Sequence, residues 1–297
     1  MTARDGAARP IITLTTDFGL ADSYVAEMKG VILGINAQAT IVDVSHGVRP
    51  QRLIQAVFIT QAAWLSFPTG AIHVAIVDPG VGTDRRAIAL VTPRGHFVGP
   101  DNGVLSAALP DDARPQSPGD PTSVALPDDA RPQSPGGPTS VAVPAGCRAF
   151  TITNPRLLRE PLSATFHGRD VFAPAAAHLS LGMPAETLGE PVDALLAFPP
   201  IRARRRADGA LQAEVVHIDR FGNVVTDARA EDLPEGAFTV ELAGQRVPGP
   251  VRTYADATGP AALVTSSGYL AVILPNGSAA ETLGVEIGDG ALLRPGR

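Results

Sequence analysis

The sequence predicts an α/β domain followed by a small all-β, barrel-like domain. Three observations carry that prediction. Between Pro10 and about Gly103, short β-rich apolar runs alternate with stretches of helical spacing, as in a sheet with helices on its faces. Beyond Phe198-Pro199-Pro200 the helical spacing disappears and only strand-like runs remain. The length of 297 residues, 44% hydrophobic, also exceeds the usual size of one compact core. The domains are placed at 1–195 and 205–297, with the boundary between 190 and 205.

In chain order, strands are predicted at Ile11–Thr15, Thr40–Val44, Ile72–Val77, Ala87–Val91 and His96–Val98. Ser23–Ile35 lies between the first two, with Val25, Met28, Ile32 and Leu33 on one helical face, and Arg52–Leu65 of similar character precedes the third. Later in the domain come a strand at Arg148–Thr153 and a helix at Arg169–Leu181. The second domain is read as strands Leu211–Ile218, Ala237–Leu242, Ala261–Thr265 and Tyr269–Leu274, without helices. Asp17, Asp43, Asp78 and Asp101 follow or end strands of the first domain. In open α/β sheets ligands bind beyond the carboxyl ends of strands, so these four are read as one functional edge.

One segment is duplicated in tandem. Leu109–Ala125 recurs as Leu126–Ala142, with Gly137 in place of Asp120. Rich in Pro, Gly, Ser and Asp, it has little apolar surface to bury, so Pro110 to Pro144 is expected to be a flexible surface loop inserted at 109–144.

Composition excludes several functions. A net charge of −6 gives no basic field for nucleic acid, and Arg202–Arg206 is read as a solvated linker. The single cysteine, Cys147, rules out an internal disulfide and a cysteine metal cluster. With no apolar h-region before Pro10 and no bilayer-length apolar run, a soluble cytoplasmic protein without membrane partners is expected. There is no Gly-x-x-x-x-Gly-Lys loop, no dinucleotide fingerprint and no Gly-x-Ser-x-Gly elbow. Ligand-type residues such as His46, Asp43 and Asp170 occur without metal-site spacing, so no metal is expected.

The most informative run is Val77-Asp78-Pro79-Gly80-Val81-Gly82-Thr83-Asp84-Arg85-Arg86, taken with Thr165-Phe166-His167-Gly168-Arg169-Asp170. It supplies a carboxylate, a guanidinium and, if the fold joins distant segments, an imidazole. Arg86 is a register rival for Arg85.

With these go Thr15-Thr16-Asp17-Phe18-Gly19 followed by Asp22 and Tyr24, Asp43-Val44-Ser45-His46, Gly99-Pro100-Asp101-Asn102-Gly103, Ile218-Asp219-Arg220-Phe221-Gly222-Asn223 and Ser266-Ser267-Gly268-Tyr269-Leu270. In this order the series resembles that of the S-adenosylmethionine hydroxide adenosyltransferases, the adenosine-forming S-adenosylmethionine hydrolases related to the fluorinase and chlorinase. The resemblance runs from about residue 10 to the C-terminus.

It implies that water or hydroxide attacks C5′ of the adenosyl group and displaces methionine. The leaving group departs as a neutral thioether, so the task is to orient a nucleophilic oxygen and help it shed a proton. The resemblance assigns the water to Asp78, Arg85 and His167, leaving open whether Asp78 or His167 takes the proton. It assigns Asp17 to the ribose hydroxyls, Asp22 to the methionine ammonium, and Asp219, Asn223 and Ser266 to the methionine end. Tyr24 joins the substrate site, Tyr254 stacks on adenine, and backbone near Leu274 and Asn276 reads the adenine edge. S-adenosylmethionine is the substrate, so no cofactor is implied. A homotrimer with sites between subunits is implied as well.

Two departures stand out. Pro275 removes a backbone donor beside the adenine-edge positions. The insertion follows Pro100-Asp101-Asn102-Gly103, whereas the fluorinase-type loop precedes that motif. The rival readings are a halogenase, which carries aromatic residues in place of Asp78 and His167, and a non-catalytic sensor of an adenosyl ligand.

Overall fold

The computed structural model describes residues 9–116 and 137–296. The chain forms two compact units, Met1–Pro200 and Ile201–Arg297.

The first unit is built on a seven-stranded mixed sheet in the order β2-β1-β3-β5-β4-β7-β8. Its strands are β1 Ile11–Thr16, β2 Thr40–Ser45, β3 Ala71–Ile76, β4 Ala87–Thr92, β5 Gly95–Pro100, β7 Arg148–Thr151 and β8 Pro191–Val192. Strands β2, β1, β3 and β5 run parallel, and β4, β7 and β8 continue antiparallel. Every residue of β3 is buried, as a central parallel strand requires when both faces are covered. Helix α1 (Tyr24–Ile35) turns Val25, Met28 and Ile32 inward, and α2 (Leu53–Trp64) buries Leu53, Ala56, Val57 and Phe58. Helix α3 (Ala173–Ser180) packs against α1 and the sheet through Ala173, Ala175, Ala176 and Ala177, whose small side chains permit close approach.

The chain leaves β1 through α1 to β2 on one side, then passes through α2 to β3 on the other. The order of the sheet therefore reverses between β1 and β3, whose carboxyl ends lead into Asp17 and Asp78. That reversal is where open α/β sheets form their binding crevice.

The second unit is an antiparallel, nearly closed barrel. Its strands are β10 Arg204–Arg205, β11 Leu211–Ile218, β12 Val224–Arg229, β13 Phe238–Leu242, β14 Gln245–Gly249, β15 Ala261–Val264, β16 Tyr269–Ile273 and β17 Gly290–Pro295. The path β14-β13-β17-β11-β12-β16-β15 nearly closes on itself. Val251 N–H donates to Ala262 C=O at 2.9 Å, and a Cβ on Gly249 would stand 2.8 Å from that of Ala262. Alternate residues Phe238, Val240 and Leu242 fill the interior with Val215, Leu270 and Leu293.

Four expectations need correction. The barrel unit contains a helix, α4 (Ala279–Leu283), capped by Ser278 and closed by left-handed Gly284. The Arg202–Arg206 stretch is no linker: Arg204–Arg205 pairs with β11, and Arg202 bonds Asp232 and Glu231. The predicted helix from Arg169 opens instead as a π-helical turn, Gly168–Phe172, before α3 begins.

The fourth concerns the duplicated segment, which is not a loop throughout. Leu109 and Arg114 are buried, and Arg114 donates to Leu109 C=O and Gln61 Oε1. Thr139–Ala142 forms β6, paired with β9 (Ala194–Ala197). The backbone bonds of that pairing outweigh the weak strand propensity of a Pro- and Ser-rich stretch. Residues 117–136 of the expected loop lie outside the described residues.

Candidate active site

Asp78 follows β3 and opens a turn in which Val81 N–H returns to Asp78 C=O and the Thr83 hydroxyl donates to Gly80 C=O at 2.7 Å. Gly82 has φ +80°, and a Cβ there would lie 2.7 Å from Ala164 C=O. A glycine is needed at this contact, which seats the Asp78 turn against the segment leading into Thr165-Phe166-His167. The two distant motifs are thus brought together by one close backbone approach.

Arg85 bridges them. Its Nε lies 3.0 Å from each carboxylate oxygen of Asp78, and its Nη2 bonds Asp78 Oδ2 and stands 2.7 Å from His167 Nδ1. The pair is nearly sealed from solvent, with side-chain exposures of 5% for Arg85 and 6% for Asp78, and Phe172 lies under the guanidinium. Arg85, not its neighbour Arg86, meets Asp78 and His167. Arg86 points elsewhere and binds Asp101, which also accepts from Leu196 N–H, while Asn102 donates to Val77 C=O at 2.8 Å. The Asp101-Asn102 motif therefore braces the strand end that carries Asp78.

A guanidinium only donates, so His167 Nδ1 accepts from Arg85 and neutral His167 carries its proton on Nε2. Burial, together with the charge of Arg85, lowers the His167 pKa below its ordinary value of 6.5, against the opposing pull of Asp78 and Asp170.

Asp78 and His167 line a cleft of about 570 Å³ together with Asp17, Phe18, Tyr24, Gln51 and Phe166. Asp17 accepts from Gln51 N–H at 2.9 Å. Burial and the negative charge of Asp78 raise its pKa, while the Gln51 bond opposes the rise. Phe18 and Tyr24 each meet Phe166 edge to face and are tilted to one another, with centroids 5.1 to 5.9 Å apart, and the three form the apolar wall. The cleft thus sets ionisable groups capable of handling a water beside a carboxylate suited to a diol.

A second cavity, of about 780 Å³, belongs to the barrel unit and is lined by Phe221, Asn223, Tyr254, Leu274, Pro275, Asn276 and others. Asn223 donates to Asp219 Oδ2 at 2.7 Å and to the Tyr254 hydroxyl at 3.2 Å. Asn276 takes a left-handed φ of +57°, and Leu274 C=O accepts from Gly277 N–H across that turn.

Not every expected residue joins a cavity. Asp22 and Ser266 are exposed and outside both linings, Arg85 stands behind Asp78 and His167, and Asp219 lines neither cavity but accepts from Asn223. Of the four acidic residues read as one edge, only Asp17 and Asp78 reach the cleft. Asp43 pairs with Lys29 and His46, and Asp101 with Arg86, because each has a cationic neighbour within reach. Among the described residues no three His, Cys, Asp or Glu side chains converge as metal ligands. The sequence reading missed Gln51, whose contribution comes from a backbone N–H presented at φ +65°. It missed the cleft role of Phe18 and Phe166 too, although both stood inside quoted motifs.

The chain is similar to known proteins over nearly its whole length. The family model of the SAM hydroxide adenosyltransferase N-terminal domain matches residues 12–131 and 136–189, and that of the C-terminal domain matches 213–291. The (R)-S-adenosyl-L-methionine hydrolase of Salinispora arenicola is 39% identical over 95% of the chain and 97% of its own length. A fluorinase of Nocardia brasiliensis is 28% identical, covering 78% of the chain and 75% of its own. Among solved structures, a conserved uncharacterized protein of Thermotoga maritima matches with a TM-score of 0.78 at 28% identity, over 96% of this chain and all of its own.

Proposed function

The chain belongs to the SAM hydroxide adenosyltransferase family, and from that premise we propose that it hydrolyses S-adenosyl-L-methionine to adenosine and L-methionine by water attack at C5′. The observation that carries the reading is that Asp78 and His167, joined by Arg85 from behind the lining, face the cleft that also holds Asp17.

The hydrogen-bond chemistry divides the work. His167, with its proton on Nε2, donates to the water and aims one of the water's lone pairs at C5′. Asp78 is then the group with lone pairs free to take the proton, and Arg85 holds that carboxylate in place. The sulfonium leaves as a neutral thioether, so the reaction calls for neither an acid nor a metal at the leaving group. Asp17, as an acceptor-only carboxylate, takes both ribose hydroxyls.

The names of the hydrolase relatives specify the (R) sulfonium, and the same epimer is the proposed substrate here. Asn223, Tyr254, Leu274 and Asn276 are proposed to hold the rest of the substrate. The proposed assembly is a homotrimer in which the cleft of one copy meets the barrel cavity of its neighbour, and Leu20 and Phe221, each 76% exposed, are supporting observations. Among the described residues no helix is long and apolar enough to cross a membrane. Cytoplasmic location is part of the proposal.

The test is incubation with S-adenosylmethionine in ¹⁸O-labelled water, with and without chloride and a chelator. Labelled adenosine unaffected by the chelator is the expected product. A chlorinated nucleoside would place the chain with the halogenases, and bound but unconverted substrate would make it a sensor.

A further inference from the structure

His46 is 5% exposed, just past the end of β2, and does not line the cleft. It is nevertheless tied to the loop that carries Asp17 by two routes. Its carbonyl accepts from Gly19 N–H at 2.8 Å, and its Nδ1 lies 2.8 Å from the hydroxyl of fully buried Thr16. That hydroxyl accepts from Phe18 N–H at 3.2 Å. The backbone amides on the C-terminal side of Asp17 thus both terminate on the Thr16–His46 pair.

The chain of bonds has a direction. His46 Nε2 lies 3.1 Å from Asp43 Oδ1, off the line of an ideal hydrogen bond but close enough to favour a proton on that nitrogen, and Asp43 Oδ2 takes Lys29 Nζ at 2.6 Å. With the proton on Nε2, Nδ1 accepts from the Thr16 hydroxyl, leaving the Thr16 lone pairs for Phe18 N–H. A register shift places Leu14 opposite Asp43 and Thr15 opposite Ser45. The extra residue re-aims the end of β2, the usual consequence of a bulge beside a site.

We propose that His46 is a positioning residue for substrate: acting through Thr16, it fixes the Asp17–Gly19 loop so that the Asp17 carboxylate meets the ribose diol. This rests on the S-adenosylmethionine reading of the cleft. Outer partners of this kind orient a binding group without touching the ligand.

Two amide variants separate this role from general packing. In His46→Asn the side-chain amide stands where Nδ1 was and keeps the Thr16 bond; in His46→Gln it stands where Nε2 was and loses it. Kinetics with S-adenosylmethionine and amide hydrogen exchange of the Phe18–Gly19 segment are compared for wild type, both variants and Thr16→Val. The expected result is a KM raised about tenfold in His46→Gln and Thr16→Val with kcat within about threefold, a near-normal KM in His46→Asn, and faster exchange at Phe18 and Gly19 only where KM rises. The Thr16→Val/His46→Gln double variant should be no worse than the worse single one.

Equal KM effects in the two His46 variants, a fall in kcat instead of a rise in KM, or loosened amides with unchanged KM would each overturn the proposal. Wild-type protein that releases no adenosine would overturn the reading of the cleft instead, and the exchange data would still report whether His46 holds the loop.

Discussion

Arg85 Nη2 stands 2.7 Å from His167 Nδ1, and because a guanidinium has no acceptor this contact decides which nitrogen of the imidazole carries the proton. On the proposed reading His167 faces the cleft as a donor and Asp78 is the proton acceptor. His167→Gln places an amide donor near the lost Nε2 and should retain more kcat than His167→Asn, which mimics only Nδ1. Asp78→Asn keeps the shape but removes the base, and kcat should drop by about a hundred- to ten-thousandfold with KM changed little. Steady-state kinetics of the three variants check the assignment, and a milder Asp78→Asn than His167→Gln would reverse it.

The same contact sets the pH profile. Burial and Arg85 hold the His167 pKa below 6.5, and the proposed working state is neutral, so the acidic limb of kcat/KM should have its midpoint below 6.5. Arg85→Gln can still donate to Nδ1 but removes the cation, one of the two causes of the lowering. Its residual activity should show the acidic limb displaced to higher pH. An unmoved limb would mean that another group controls it.

The proposed trimer makes a quantitative prediction. Asp78→Ala disables the cleft and Asn223→Ala the barrel cavity, so each homogeneous variant should be nearly inactive. Co-expressed in equal amounts, the two should assemble with about one quarter of the sites intact if each site joins two copies. Activity per subunit and sedimentation analysis measure the outcome. Recovery of no activity by mixed, trimeric material would put each site within one chain.

The duplicated segment is used by halves. The first copy supplies buried Leu109 and Arg114, the second supplies β6, and one copy contains both kinds of residue. Deleting 109–125 places Leu126 and Arg131 where Leu109 and Arg114 were and keeps Thr139–Ala142. Activity and the melting temperature should be nearly unchanged, since the remaining copy supplies the counterparts of the residues that are buried or paired. Deleting all of Pro110–Pro144 removes Arg114 and the partner of β9, and the melting temperature should fall by several degrees.

Legibility in the sequence followed the physics of each element. β1 to β3, with Asp17 and Asp78 at their ends, could be read because β-rich apolar runs and strand-end carboxylates are local signals. The Asp78–Arg85–His167 set was legible only through its motifs, since the joining contact, Gly82 against Ala164, links residues far apart in sequence. β8 and β10 are two residues each, and β6 owes its form to β9, so no local pattern announces them. Gln51 acts through its backbone N–H, which its side-chain type does not announce. The expected edge of four carboxylates failed because Lys29 and Arg86 were close enough to claim two of them.

His73 gives an acid-stability test away from the cleft. It is 3% exposed on β3 among Trp64, Phe67 and Phe97, with Nδ1 2.9 Å from the Thr13 hydroxyl, and burial lowers its pKa to about 4. Below pH 6.5 the unfolded chain takes up a proton that the folded chain refuses, so stability falls as pH drops from 6.5 toward 4 and levels off once the folded state is protonated too. Between pH 7 and pH 5 this one group should account for about 2 kcal/mol. His73→Phe removes the titration while keeping an aromatic ring in the cluster. Its unfolding free energy should therefore fall less over that interval, whatever the loss of the Thr13 bond does to absolute stability. Urea titrations followed by the fluorescence of Trp64, the only tryptophan, measure both slopes in the unit that contains His73. Equal slopes for wild type and variant would assign the acid sensitivity to another group.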